Sequence, residues 1–491
     1  MPSCLEPVHR RRPYRVVMVR SGAAALAAAL LALAACTATD RVTTPSPPGS
    51  PAASHRGVAP SESTAPSSSP EAAGTPTGTV APASSPAASV PPDRPLASTG
   101  SIAVVGSDGS LSIVDASGES VELSAEDSTA GFPAWSPDGS RLASIGRRPD
   151  GNTIVVVEPD RAASGDPVES VVIFDNPDVG PFYLSWAPDG RSVAFLATES
   201  DGALALRQAP ADGSAPLDGS GPEATIRTGD PFYFDWIERD RLLAHVGSGP
   251  DALLGEIGLD GDPSEPALGP PGLFRSAVVS RDGSFVSYVR LGDDAGSEVV
   301  VAARDGSSEQ AVDVFGFAAV GFDPTGDTIA TIGPIEPVQP SPAIPVGPLR
   351  LVDAGSGEER TILDGLVVGF WWSPDGRTIA ALRLQPVAQE ANAVRPAAAP
   401  AEPPQELRLL FVDVASGDVE HDAAVRPGEL FIDQLLPFFD QYALSHHLWA
   451  PDSSSFLLPV VDEDRATRVA VMYRDGDPMV LLDGAIAFWT P

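Results

Sequence analysis

At 491 residues, 43% of them hydrophobic, the chain can hold one large β-domain or two or three smaller domains. A formal net charge of −35 excludes a nucleic-acid surface, which needs clustered cations, and disfavours anionic lipid headgroups. All 31 cations are Arg, and with 46 Gly and 52 Pro this usage points to a GC-rich genome.

The chain opens with a positive segment carrying Arg10, Arg11, Arg12, Arg15 and Arg20, followed by an apolar stretch over 21–35. That stretch is short for a membrane span and ends in small residues, as an export signal does. Leu33-Ala34-Ala35-Cys36 resembles the lipobox of bacterial lipoproteins, which implies cleavage before Cys36 and its lipidation. The expected address is the outer face of the cell membrane. Only Cys4 and Cys36 occur, so the exported part has no disulfide to stabilise it. Loss of residues 1–35 removes five Arg and one Glu and takes the charge from −35 to −39.

Residues 36–99 are rich in Ser, Thr, Pro and Ala, as in "TTPSPPGSPAAS". Little there can be buried, so a disordered tether is expected. It would reach roughly 45 Å as a coil and ~190 Å as polyproline II.

Residues 100–491 carry a repeat. Trp135-Ser136-Pro137-Asp138-Gly139 recurs as Trp186-Ala187-Pro188-Asp189-Gly190 and as Trp372-Ser373-Pro374-Asp375-Gly376. Worn copies begin at Trp236, at Val279, at Phe322 and at Trp449. Their spacings of 51, 50, 43, 43, 50 and 77 residues mark an array of β-blades. Ser, Pro and Gly suit a tight hairpin turn: Pro pre-sets φ, and Gly takes the left-handed conformation that closes it. The Trp before the turn is read as a wedge between blades. Residues 102–124 supply three strands without a Trp motif, and "AIAFWTP" at the C-terminus supplies one strand ending in Trp489. Together they make one blade, which closes a ring and removes its free edge. The expectation is an all-β, eight-bladed propeller of four-stranded blades, with seven blades as the alternative.

The "WSPDG" motif resembles the TolB-like propeller repeat, a cousin of WD repeats, over about 100–491. That resemblance implies the fold. It leaves function open, because such propellers serve as interaction platforms, as gates on serine peptidases and as enzymes.

No G-x-S-x-G elbow is present, so a peptidase arrangement is unsupported. His446-His447 would point to opposite faces of a strand and share a metal poorly; His245 and His421 stand alone. Asp260/Asp262 and Asp462/Glu463/Asp464 lack the spacing of a Ca²⁺ loop, leaving Ca²⁺ a weak possibility and no other cofactor expected. Two stretches in the long seventh period are candidates for recognition: a loop over 386–405, and an aromatic-rich insertion over 429–449. In the second, Phe431, Phe438, Phe439 and Tyr442 are candidate partner-binding residues on a rim, the other reading being a loop packed over the propeller end. The twin "PFY" at 181–183 and 231–233 places two Phe-Tyr pairs at the same end of their blades. A monomeric, non-catalytic module for a protein or cell-wall component is expected. The alternatives are a hydrolase or lactonase with a cation in the central channel, and a sensory or assembly lipoprotein.

Overall fold

The computed structural model describes residues 94–491 except 124–128, 160–169, 216, 221–224, 264–267, 269–270, 274, 293–295, 339–343, 387–404 and 477–478. The signal segment, Cys36, the tether up to residue 93 and the interior of the 386–405 loop lie outside the described residues. Among the described residues no helix is long and apolar enough to cross a membrane.

The closing blade forms as the sequence implies. Its strand order is Ile486–Trp489, Ser101–Val105, Leu111–Asp115, Ser120–Glu122, with Ile102 opposite Trp489 and Val105 opposite Ile486. From there the first blade is built on Thr129–Trp135, the second on Gly180–Trp186, the third on Phe232–Glu238 and the fourth on Val278–Val279. The fifth and sixth share one seven-stranded sheet. Strand Glu359–Trp372 joins them: Leu351 opposes Arg360 at its start, and Trp372 opposes Ile379 at its end. One strand is thus outermost in the fifth blade and innermost in the sixth, with Gly365 at φ +101° between the two halves. The seventh blade pairs Ser455–Val461, Thr467–Tyr473 and Val480–Asp483, and a single bridge from Trp449 to Phe456 supplies its inner edge. The count is eight.

The repeated turn closes through its own polar atoms. Gly139 N–H donates to Ser136 O at 2.8 Å with φ +70°, and Ser136 N–H donates to Arg141 O at 2.8 Å. Asp138 supplies what pattern reading left without a role. Its Oδ1 accepts from Ser136 Oγ at 2.6 Å and from the N–H and Oγ of Ser140 at 3.1 and 2.8 Å. The Ser136 hydroxyl, chiefly, holds this carboxyl down at about 2. Asp189, Asp375 and Asp452 each accept a backbone N–H two residues on, in the same way.

The Trp residues are wedges and also donors. Trp135 Nε1–H reaches Phe488 O at 3.1 Å, Trp186 reaches Ala134 O at 2.9 Å, Trp372 reaches Gly321 O at 3.1 Å and Trp449 reaches Trp371 O at 3.0 Å. Each indole therefore fills the inter-blade gap and satisfies a carbonyl of the preceding blade's inner strand. The link from Trp135 back to Phe488 runs through the closing blade, so the ring is continuous.

The domain begins before residue 100. Leu96 is fully buried, and its N–H donates to Ala116 O. Arg94 lies 3.9 Å over the Tyr473 ring and pairs with Asp475 at 2.7 Å, while the N–H and Oγ of Ser98 donate to Asp452. Residues 94–99, grouped with the tether on composition, are a strap on the seventh blade.

Candidate functional site

The insertion over 429–449 is helical from 429 to 442, although no helical period is evident in its sequence. Phe431–Leu435 form a π turn, Leu436–Phe438 a 3-10 turn and Phe439–Tyr442 an α turn, all continuous. It runs into the middle of the ring. Gln441 Nε2 donates to Tyr183 OH at 2.9 Å and to Phe234 O at 2.8 Å; its Oε1 accepts from Phe234 N–H at 3.0 Å, and its main-chain O accepts from Tyr183 OH. Phe439 packs against Phe370 and Trp371, and Tyr442 lies 5.2 Å from the Phe132 ring. Phe132 turns inward at a bulge in its strand, with φ +40°. The closing, first, second, third, fifth and sixth blades all touch this segment or the His446 that follows it. It is a plug.

This changes the placement of the candidate partner residues. Phe431, Phe439 and Tyr442 are 0%, 1% and 4% exposed, spent on filling the channel; Phe438 alone, at 45%, keeps an open face. The physical reason is that a closed ring of this size leaves an axial hole, and aromatic side chains fill it. The repeated Phe-Tyr pairs take part: Tyr183 holds the plug through Gln441 and Ser445, and Phe438 stacks at 6.4 Å from Tyr233.

His446 is buried with the plug, its Nδ1 2.7 Å from Ser445 Oγ and its ring 4.6 Å edge-on to Phe488. Burial pushes its pKa down to about 3 and that of His447 to about 4. Neutral imidazoles in the folded state make stability complete above the ordinary histidine pKa, and it is lost as pH falls toward the folded values. Asp235 works in the opposite sense: burial raises it to about 7, so its contribution is present at low pH and lost as pH rises through 7. Asp440, also raised by burial, works in the same sense as Asp235, so the histidine contribution is isolated by comparing the protein with a His446 variant. Thermal melts of the protein and of His446→Gln are therefore expected to differ in slope between pH 6.5 and 4, the unaltered protein losing more melting temperature as pH falls. An unchanged slope in the variant would remove His446 as the cause.

The plug stops short of one mouth. There a cup of about 560 Å³ opens among the repeat turns, with Pro188, Pro324 and Pro374 in its lining and Phe439, Asp440 and Ala443 contributed by the plug. One side of its wall is made by the worn repeats. Val279 stands where a Trp would be, the fourth blade's inner strand is only two residues long, and Phe322 replaces the next Trp. Trp236, Phe322 and Trp372 remain half-buried at the cup, whereas Trp135, Trp186 and Trp449 are buried. Trp236 Nε1 is buried yet finds no acceptor, unlike the four indoles described above. In place of that cross-blade bond, Asp235 bridges the third and fourth blades by accepting from Val279 N–H and Trp236 N–H, both at 2.8 Å. Under the plug, Arg275 donates to Pro437 O at 2.9 Å and lies 3.5 Å from Asp440, whose two carboxylate oxygens make no well-formed hydrogen bond.

Asp235, Arg275 and Gln441 were not singled out from sequence, whereas Tyr183 was met there in the repeated Phe-Tyr pair. The one available signal was the decay of the motif between 236 and 322. The acidic clusters are turns: Asp260 accepts from Asp262 N–H, and Asp462 accepts from Ala466 N–H and Arg468. Among the described residues no group of three or more His, Cys, Asp or Glu is placed to hold a metal ion. His245 Nδ1 lies 3.1 Å from Arg275 O, to which its N–H donates, and His421 stacks on Phe411.

No protein-family model matches the chain, and no curated protein does. Solved structures do. A dihydro-heme d1 dehydrogenase, NirN, matches with TM-score 0.47 and 15% identity over 81% of this chain and 77% of that one. TolB from Acinetobacter baumannii matches with TM-score 0.35 and 15% identity over 80% of this chain and 67% of that one. A periplasmic gluconolactonase from Pseudomonas aeruginosa matches with TM-score 0.39 and 14% identity, over 80% and 99% of the two chains.

Proposed function

We propose that this chain is a lipid-anchored, extracytoplasmic β-propeller that binds a protein or cell-envelope component without transforming it, and that the cup at the turn side of the ring is its binding surface. One observation carries this reading. The chain's own helical segment fills the axial channel and leaves a blind, aromatic-walled recess at one mouth. Ser445 and His446 touch, but Ser445 Oγ is also tied to Tyr183 and lies buried outside the cup lining, a packing arrangement with no room for a substrate. Ser98 bonds to Asp452 of a repeat turn, so the start of the described domain is fixed on the side of the repeat turns.

A photo-reactive residue at exposed Arg281, on the cup lining, is expected to give one discrete protein adduct in intact cells. The same probe at Val419, on an outer strand, is expected to give none. Cys36→Ala should move the protein from the membrane fraction to the medium. Adducts equally from both positions, or none from 281, would overturn the binding surface. Turnover of esters or lactones that Asp235→Asn abolishes would replace it with a hydrolase.

A further inference from the structure

The geometry points to a cationic side chain, arginine or lysine on an exposed segment of a protein partner, as the group the cup receives. This rests on the binding reading above and names its chemistry. Three kinds of observation converge. First, the half-open walls are aromatic faces, Trp236, Phe322 and Trp372, supplied by three blades around the two-residue fourth-blade strand. A guanidinium or ammonium lying over such faces is attracted by the ring quadrupoles, more strongly once water is excluded. Second, the polar groups of the lining are of one sign at depth. Asp235 and Asp323 are carboxylates, and the cation of the lining, Arg281, is exposed. Each Asp235 oxygen accepts a single backbone N–H, so lone pairs remain for a charged donor. Third, Asp440 is 3% exposed and lines the cup, and neither oxygen makes a well-formed hydrogen bond, its neighbours being the Arg275 guanidinium at 3.5 Å and the backbone N–H groups of Ser276 and Gln441. A buried carboxylate left in that condition is costly, and a donor entering the cup would relieve it.

The rest of the molecule agrees in charge. With a net charge of −35 the chain draws basic segments and repels acidic ones at long range. Burial already raises Asp235 toward neutrality, and a cation beside it would restore its ionised form. The decay of three successive repeat motifs then acquires a use. Replacing a wedge Trp by Val279 and another by Phe322 gives up inter-blade packing and leaves a recess where a foreign side chain can take the missing wedge's place.

The test uses two peptides on the unaltered exported domain, residues 37–491. They are an acetylated, amidated Ala-Gly-Arg-Tyr-Gly-Ala and the same peptide with citrulline in place of arginine. Citrulline keeps the shape and removes the charge. Titration calorimetry with tryptophan fluorescence as a second readout is expected to show the arginine peptide binding at least tenfold tighter. Asp235→Asn is expected to reduce that discrimination to about twofold or less, its fold checked by a melting curve. Equal affinity of the two peptides, or no binding of either at millimolar concentration, overturns the inference, and neither result depends on any variant folding. A cellular adduct at 281 whose contacted segment contains no Arg or Lys would also overturn it while leaving the binding module intact.

Discussion

Truncation after Ala485 is expected to abolish cooperative folding. The six residues removed include the whole strand Ile486–Trp489. Ile102, Ala103, Val104 and Val105 would lose their partners, and Thr490 N–H would no longer reach Ser101 O. Phe488 and Trp489 are both fully buried, and emptying one such aromatic site costs about 3–5 kcal/mol. Two of them, with the strand's ladder, approach the whole stability of an ordinary domain of about 5–15 kcal/mol. The loss is also topological. Trp135 would have no Phe488 O to bond, so the first blade would lose its neighbour, and Ser101–Val105 would become an apolar free edge prone to pair with other chains. The milder Phe488→Ala should lower unfolding free energy by about 3–5 kcal/mol, since the ring also packs at 4.6 Å on His446. Chemical denaturation followed by tryptophan fluorescence checks both. A truncated chain with an unshifted midpoint would mean that the ring does not depend on its terminal strand.

The closure was legible because it follows from counting. Three leading strands without a Trp motif, and one trailing strand ending in Trp489, leave no other economical pairing. The turns were legible for a local reason: Pro and Gly fix backbone angles by themselves, so Pro137 and Gly139 announce their conformation wherever they sit. Phe431, Phe439 and Tyr442 carry no such information. An aromatic side chain is driven from water with the same force into a partner, a core or an axial hole, and only the closed ring creates the hole. The short helical turns around Pro437 kept any regular 3.6-residue period from emerging. Arg94 to Thr99 were hidden for a related reason, since a strap held by Leu96, the Arg94–Asp475 pair and a few hydrogen bonds differs little in composition from the Pro- and Ser-rich run before it. The cup was encoded negatively. It is the place where the motif fails, at Trp236, Val279 and Phe322, and the absence of a wedge is read from sequence only as decay until the neighbouring blades show what space it opens.

Replacing Gln441 by Ala should be the most damaging single change in the plug. The side chain makes three hydrogen bonds in the dry centre of the ring: its amide donates to Tyr183 OH and Phe234 O, and its carbonyl accepts from Phe234 N–H. Phe234 lies in the third blade's inner strand, whose N–H and C=O face the channel here and have this one side chain as their cap. Ala leaves both unsatisfied and removes one of the bonds at Tyr183 OH, which keeps Ser445 and the Gln441 main-chain O. Each buried backbone group stranded in this way costs about 1–3 kcal/mol, so a loss of roughly 3–6 kcal/mol is expected, larger than a lone cavity of that size would give. Gln441→Glu separates the two contributions. It preserves volume and the acceptor for Phe234 N–H but sets a carboxylate oxygen against Phe234 O, so it should be nearly as harmful at neutral pH and milder in acid, where the protonated carboxyl can donate. Unfolding free energies of the two variants, measured at pH 7.5 and 5, give the answer. If Gln441→Ala costs less than about 1 kcal/mol, the plug is a passive filler and the inner strands of the ring hold their own geometry without it.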